Sequence, residues 1–256
     1  MKTVITVLAT AVAFIAQSMA RDYGYNDETD SFGFVMTSEP IFPIGLQNAG
    51  IEDGFASFLV VINREGALED YIVLEASHEG FARSVEAAMK RWRFHKPKIG
   101  GKPVTLAQSF SVKFNSRGTV VTSGDASSVI DIMMNRLNPH SNPIRLYSAE
   151  ELDDFLEPVH IEKPTVHNDY LSNEEITEFT LDFFVDKQGN VRIPLLREES
   201  KELDDRLIFA AQRAIERWKF IPPTVKGKPV VARAAQPFRF HRSSSASILN
   251  SSPSER

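Results

Sequence analysis

Residues 55–62 form an apolar run in which Ala56, Phe58, Val60 and Ile62 share one face at a period of two, and the run ends at Asn63-Arg64-Glu65-Gly66. A period of two that runs into Asn and Gly predicts a strand entering a hairpin turn, with Gly66 free to take a positive φ. The pattern returns at Phe179, Leu181, Phe183 and Val185, followed by Asp186-Lys187-Gln188-Gly189. Return strands are expected at 68–74 and 191–196. Pro194 has no N–H to give a central ladder, which places the second return strand at an edge or a bulge.

The period then changes. Phe81, Val85, Ala88, Met89 and Trp92 fall on one helical stripe, with Arg83, Glu86, Lys90 and Arg93 on the other side. Leu207, Ala211, Ala214, Ile215 and Trp218 form a second such stripe. Pro97, and Pro222 with Pro223, are read as stopping the helices, and Gly-Lys-Pro at 101–103 and 227–229 as turning the chain. A last alternating strand follows each turn. Val104, Leu106, Phe110, Val112 and Phe114 share a direction in the first; Phe238 and Phe240 keep that parity in the second, where Pro237 is expected to interrupt the ladder.

The order strand, strand, helix, strand therefore occurs twice, each time behind a short Pro-led segment (Pro40 to Pro43, and Pro164). The words repeat as well as the pattern. RWRFHKPKIGGKPV at 91–104 returns as RWKFIPPTVKGKPV at 217–230, with Arg91, Trp92, Phe94, Pro97, Gly101, Lys102, Pro103, Val104 and Phe114 meeting identical residues. Such self-similarity predicts a tandem α+β protein, each repeat a small antiparallel sheet of about three strands with one helix on one face. One helix covers one face only, which leaves the final strand as an available edge.

With 29 basic against 34 acidic residues, the charge gives no pull toward nucleic acid or an anionic membrane. There is no cysteine, which excludes thiol nucleophiles, thiolate metal sites and disulfides. Residues 1–20 carry one lysine, an apolar run over 4–16 and Ser18-Met19-Ala20, the form of a cleavable secretory signal. The alternative is an uncleaved inner-membrane anchor. The organisation expected is a signal at 1–20, an N-terminal segment at 21–37, domains at 38–114 and 157–241, a connector at 115–156, and a disordered tail at 242–256. Short helices are expected in the connector around 127–137 and 148–156.

EAAMKRWRFHKPKIGGKPV and AAQRAIERWKFIPPTVKGKPV, with the strand, Gly turn and strand before each, resemble the C-terminal domain of TonB, the energy-transducing protein that touches outer-membrane receptors from the periplasm. The resemblance covers about 38–114 and 157–241. It implies a periplasmic protein-interaction module, associated with TonB-type transmembrane transport, whose last strand pairs with an extended peptide of an outer-membrane receptor or another envelope protein. Carried over by position, the partner-binding strand is Val104, Thr105, Leu106, Ala107, Gln108, Ser109, Phe110, Ser111 and Val112. Its counterpart at 230–240 is weakened by Pro237. A full transducer also has a membrane helix with a polar, motor-contacting residue and a long Pro-rich spacer; residues 4–16 hold no His, Asp, Glu or Arg, and 21–37 no proline.

Trp92, Phe94, Trp218 and Phe220 are assigned to the core, since both tryptophans lie on apolar stripes. Lys102 and Lys228, each between Gly and Pro, are the candidates for a polar contact. The carboxylates Glu150, Glu151, Asp153 and Asp154 read as a solvated helix face. The six histidines show no metal-ligand spacing, and no catalytic motif is present, so no enzyme activity, metal, cofactor, small-molecule substrate or nucleic acid is expected. The competing reading is a structural or oligomerising envelope protein whose edges pair with the sister repeat or with a second copy of the chain.

Overall fold

The computed structural model describes residues 8–9, 33–99, 101–115, 118–123, 144–166, 177–197, 203–241 and 244–248. The chain divides into two units, Met1–Arg145 and Leu146–Arg256.

In the first unit a short helix, α1 (Ile44–Asn48), precedes β1 (Asp53–Ile62), β2 (Leu68–Ala76), α2 (Glu79–Met89), β3 (Leu106–Asn115) and β4 (Gly118–Ser123). The turn between β1 and β2 forms because Asn63 Oδ1 accepts the amides of Glu65 at 3.1 Å and Ala67 at 2.9 Å, an Asx turn, while Gly66 takes φ +81°. His78 starts α2, its Nδ1 accepting the Gly80 amide at 3.0 Å. Phe58, Val60, Ile62, Phe81, Val85, Met89, Trp92, Phe110, Val112 and Phe114 close the core between sheet and helix.

The sheet is wider than the three strands expected. Its order is Leu8–Ala9, β4, β3, β1, β2, Ile144–Arg145, so 118–123 and 144–145, within the expected connector, pair into the first domain's sheet. Apart from Leu8 and Ala9, residues 1–20 lie outside the described residues, and the secretory-signal reading with them, as does the helix expected at 127–137. Among the described residues no helix is long and apolar enough to cross a membrane.

The second unit runs β5 (Thr177–Val185), β6 (Val191–Leu196), α3 (Asp205–Ile215), β7 (Ala232–His241) and β8 (Ser244–Ile248). Asp186 Oδ1 accepts the amides of Gln188 and Asn190 at 2.9 and 2.8 Å, and Gly189 takes φ +81°. Asp204 caps α3 through the Arg206 amide at 2.9 Å. Phe179, Leu181, Phe183, Val185, Leu207, Ala211, Ile215, Trp218, Phe238 and Phe240 form its core. The strand order is Tyr147–Ser148, β7, β5, β6, with β8 also on β7.

Four further expectations are corrected. Both helices end before the prolines, at Met89 and Ile215; the Phe94 N–H instead donates to Gly66 O at 3.1 Å and the Phe220 N–H to Gly189 O at 2.8 Å, drawing the chain back over the turn. Residues 148–156 hold only a 3-10 turn, Ala149–Glu151, closed by a capping box between Ser148 and Glu151. Ser244–Ile248, within the expected disordered tail, pairs with β7. Pro237 does not interrupt its ladder: β5 and β7 stay in register from Thr177 against Phe240 to Val185 against Ala232. Pro194 lies on a strand at the sheet margin, with a register shift beside it and Ile193 at φ +47°.

Candidate partner-binding strand edge

The strand that follows the helix and hairpin in each unit, β3 or β7, packs on its repeated Trp-x-Phe. Trp92 and Trp218 are buried, and each indole Nε1–H donates to a backbone carbonyl two residues ahead of the leading proline: Ser38 O at 2.8 Å and Glu162 O at 2.7 Å. The rings pack on the strand beyond, with centroids 5.5 Å apart for Trp92 and Phe110 and 6.3 Å for Trp218 and Phe238. Phe94 and Phe220 are buried beside them. A buried indole needs a hydrogen-bond partner, and in both units the Pro-led arm supplies it.

Backbone direction in the final strands follows from their neighbours. Phe55 O accepts the Ser77 amide, so residues 55, 57 and 59 turn their polar backbone toward β2. Opposite them across β1 and β3 stand Ser111 and Ser109, in pairs that exchange no hydrogen bonds; their N–H groups, and that of Ala107, face away from β1. In the second unit Thr180 O accepts the Arg197 amide, so Thr180 and its opposite number Pro237 form the same kind of pair. Arg233, Ala235 and Pro237 therefore turn their backbone away from β5. A proline in this outward position removes no bond from the ladder to β5, which is why the register survives it.

What lies beyond the two strands differs. Beyond β3, β4 pairs with Phe110 through Asn115, so that Phe110, Ser111 and Val112 of the proposed binding strand are interior to the sheet. Ala107, Gln108, Ser109, Phe110, Ser111 and Val112 are buried, as is Val104, while Thr105 and Leu106 are half-buried. Beyond β7, Tyr147–Ser148 runs parallel against Ala232 and Arg233, and β8 pairs with Phe238 to His241. Between them, no strand among the described residues pairs with 234–237 on the side away from β5, and Ala235 is exposed.

Lys102 and Lys228 are exposed on short hairpins, Lys98–Ile99 with Lys102–Pro103 and Thr224–Val225 with Lys228–Pro229. The carboxylate run is not a helix face. Asp153 accepts the amides of Lys226 and Gly227 at 2.7 and 2.8 Å, and these two bonds, Gly227 first, hold its carboxyl below the usual range. Arg217 pairs with Glu162, and Lys219 donates to Asn190 Oδ1. His78 serves as a helix cap, and among the described residues no three His, Asp or Glu side chains gather as a metal site.

The face of the first sheet turned away from α2 escaped the sequence reading. Ser57, Leu59, Ser109, Ser111 and Glu75 on it are buried, and the Ser57 and Ser111 hydroxyls bond at 2.7 Å. Burial pushes the Glu75 carboxyl up, Arg145 opposing it, and Glu75 Oε2 has no hydrogen-bond partner among the described residues. The alternation of serines with Phe110 and Val112 in β3 was the available signal.

No curated protein matches the chain. Residues 38–116 match the family described as Gram-negative bacterial TonB protein C-terminal, and the match, which spans the first unit's sheet through β3, does not extend to the second unit.

Proposed function

We propose that the chain is a periplasmic, TonB-like interaction protein with two tandem C-terminal-type domains, and that it binds an outer-membrane receptor or another envelope protein by adding a strand of that partner to a sheet edge. The family match over residues 38–116 supports the TonB-like, transport-related part of this reading. The repeated Trp indole bonds and Gly66 and Gly189 turns support the second copy. The observation that carries strand addition is the outer side of β7, where the Ala235 backbone is directed outward and its side chain is exposed. Added backbone bonds there would supply affinity, and side chains alternating along the edge would supply selectivity.

The first-unit strand from Val104 to Val112 is the second reading. It carries outward N–H groups at Ala107 and Ser109, but most of its residues are buried and Phe110 to Val112 already have a strand on each side. A photo-crosslinking residue placed at Ala235, at Ala107, or at Arg197 as a control distinguishes them in Gram-negative envelope extract. Crosslinks to one envelope protein from Ala235 alone are expected. Crosslinks from Ala107 alone would move the site to the first unit, and crosslinks only between copies of the chain would favour the oligomerising alternative.

A further inference from the structure

The edge of β7 already has an occupant. Residues 146–153 enter along it: the Tyr147 N–H donates to Val231 O at 3.1 Å, and Tyr147 and Ser148 stand in parallel register with Ala232 and Arg233. The segment then turns through Ala149–Glu151 and closes on the hairpin before β7. The Asp153 N–H donates to Thr224 O at 2.9 Å, while its carboxylate takes the Lys226 and Gly227 amides. Those amides point the same way because Lys226 and Gly227 both adopt positive φ, +53° and +71°. Two successive N–H groups aimed outward form a small anion site.

We infer that residues 146–153 are a detachable strap in a peptide-binding site made of the outer edge at Val231 to Arg233 and the Lys226–Gly227 turn, and that the site takes an acidic peptide that pairs parallel to β7 at one end and then turns back to the hairpin, as the strap does. The strap shows the chemistry required: a strand that pairs at one end and a carboxylate six residues further along. No residue from Ile144 through Lys163 is buried, so the strap is held by hydrogen bonds and not by core packing. Segments held in this way open without unfolding the structure beneath them. The stretch at 234–237 spans only about 13 Å at the usual rise per strand residue. Pro237 offers no outward N–H, so a partner of ordinary strand length must take the place of Tyr147 and Ser148. This inference rests on the strand-addition reading and specifies where and with what chemistry it happens.

The test uses the full chain and the strap's own sequence, LYSAEELD, as a free peptide. In one variant residues 146–153 are replaced by Gly and Ser at unchanged length; in a second, Asp153→Ala. At millimolar peptide, amide NMR shifts at residues 226–233 are expected in the replaced variant and not in the wild type. A peptide whose final Asp is Asn should bind at least tenfold more weakly. In Asp153→Ala, the amides of Tyr147, Lys226 and Gly227 should exchange at least tenfold faster, with those of the β5–β7 ladder and the Trp218 indole unchanged. No shifts in the replaced variant, equal shifts in the wild type, or exchange that accelerates throughout the unit would each overturn the strap. Envelope-protein crosslinking at Ala235 that persists after such a failure would leave strand addition standing without it.

Discussion

The two units are alike on the side of the sheet that carries the helix and unlike on the other. In both, an Asx turn with a positive-φ glycine receives the Phe of Trp-x-Phe, and the Trp indole ties the Pro-led arm to the core. On the far face the first unit buries Ser57, Leu59, Ser109, Ser111 and Glu75. The second places Asp182 between Arg197 and Arg233, and Glu178 beside Arg239, with the arginines exposed to solvent. The repeated residues thus hold the helix side, and the far face and outer edges are where the two units differ.

The helix-side likeness is tested hardest by Trp92→Ala and Trp218→Ala. Each should destabilise its own unit by roughly 3–5 kcal/mol, the range for truncating a large buried aromatic. Urea denaturation with a probe in each unit measures this, since a two-unit chain need not unfold in one step. A loss confined to one of the pair would show that the two helix sides are not equivalent. Gly66→Ala and Gly189→Ala come next, at roughly 1–3 kcal/mol each. Their φ is +81°, and an added Cβ would lie 2.4 Å from Phe94 O and 2.0 Å from Phe220 O. Equal melting temperatures for wild type and either variant would remove that turn from the shared frame.

Acid should separate the units. Burial raises the Glu75 carboxyl above its ordinary range, so the folded first unit binds the proton more tightly than the unfolded chain does. Its stability should rise as pH falls from neutral into the window just above the ordinary Glu range, and Glu75→Gln should raise stability at neutral pH and flatten that slope. In the second unit Asp186 is pushed up by burial, yet hydrogen bonds from Asn190 and Gln188 and the nearby Arg192 leave it lowered overall; Asp204 is lowered chiefly by Arg206. Their stabilisation is complete above the ordinary Asp range and lost as pH falls through their depressed values. Unfolding curves of the two units between neutral pH and pH 3 that move in parallel would contradict this contrast. The smallest effect belongs to Asp182→Asn, about 1 kcal/mol for a half-buried carboxylate whose two arginines are exposed, and smaller still in 1 M salt, where the screening length is about 3 Å.

The helix side was legible because periodicity reports it. Every stripe residue from Phe81 to Trp92 and from Leu207 to Trp218 is buried. The edges were not legible, because which strand lies outermost depends on distant segments. Ser244–Ile248 has a Ser-rich composition that predicts no order, and only its pairing with β7 makes it a strand. β4 left a fair signal, Arg117-Gly118 before Thr119-Val120-Val121, that a hairpin search from Asn115 would have found. Pro237 misled because its effect depends on which way its nitrogen points, and one residue of parity decides that.

That same parity gives the direct test of strand addition at β7. Ala235→Pro places the missing N–H outward, as Pro237 already does, whereas Ala234→Pro places it in the ladder to β5. With folding followed by circular dichroism and binding by capture of the crosslinked envelope partner, Ala235→Pro should fold and lose capture, and Ala234→Pro should unfold the second unit. An Ala235→Pro protein that folds and captures its partner as the wild type does would contradict the account.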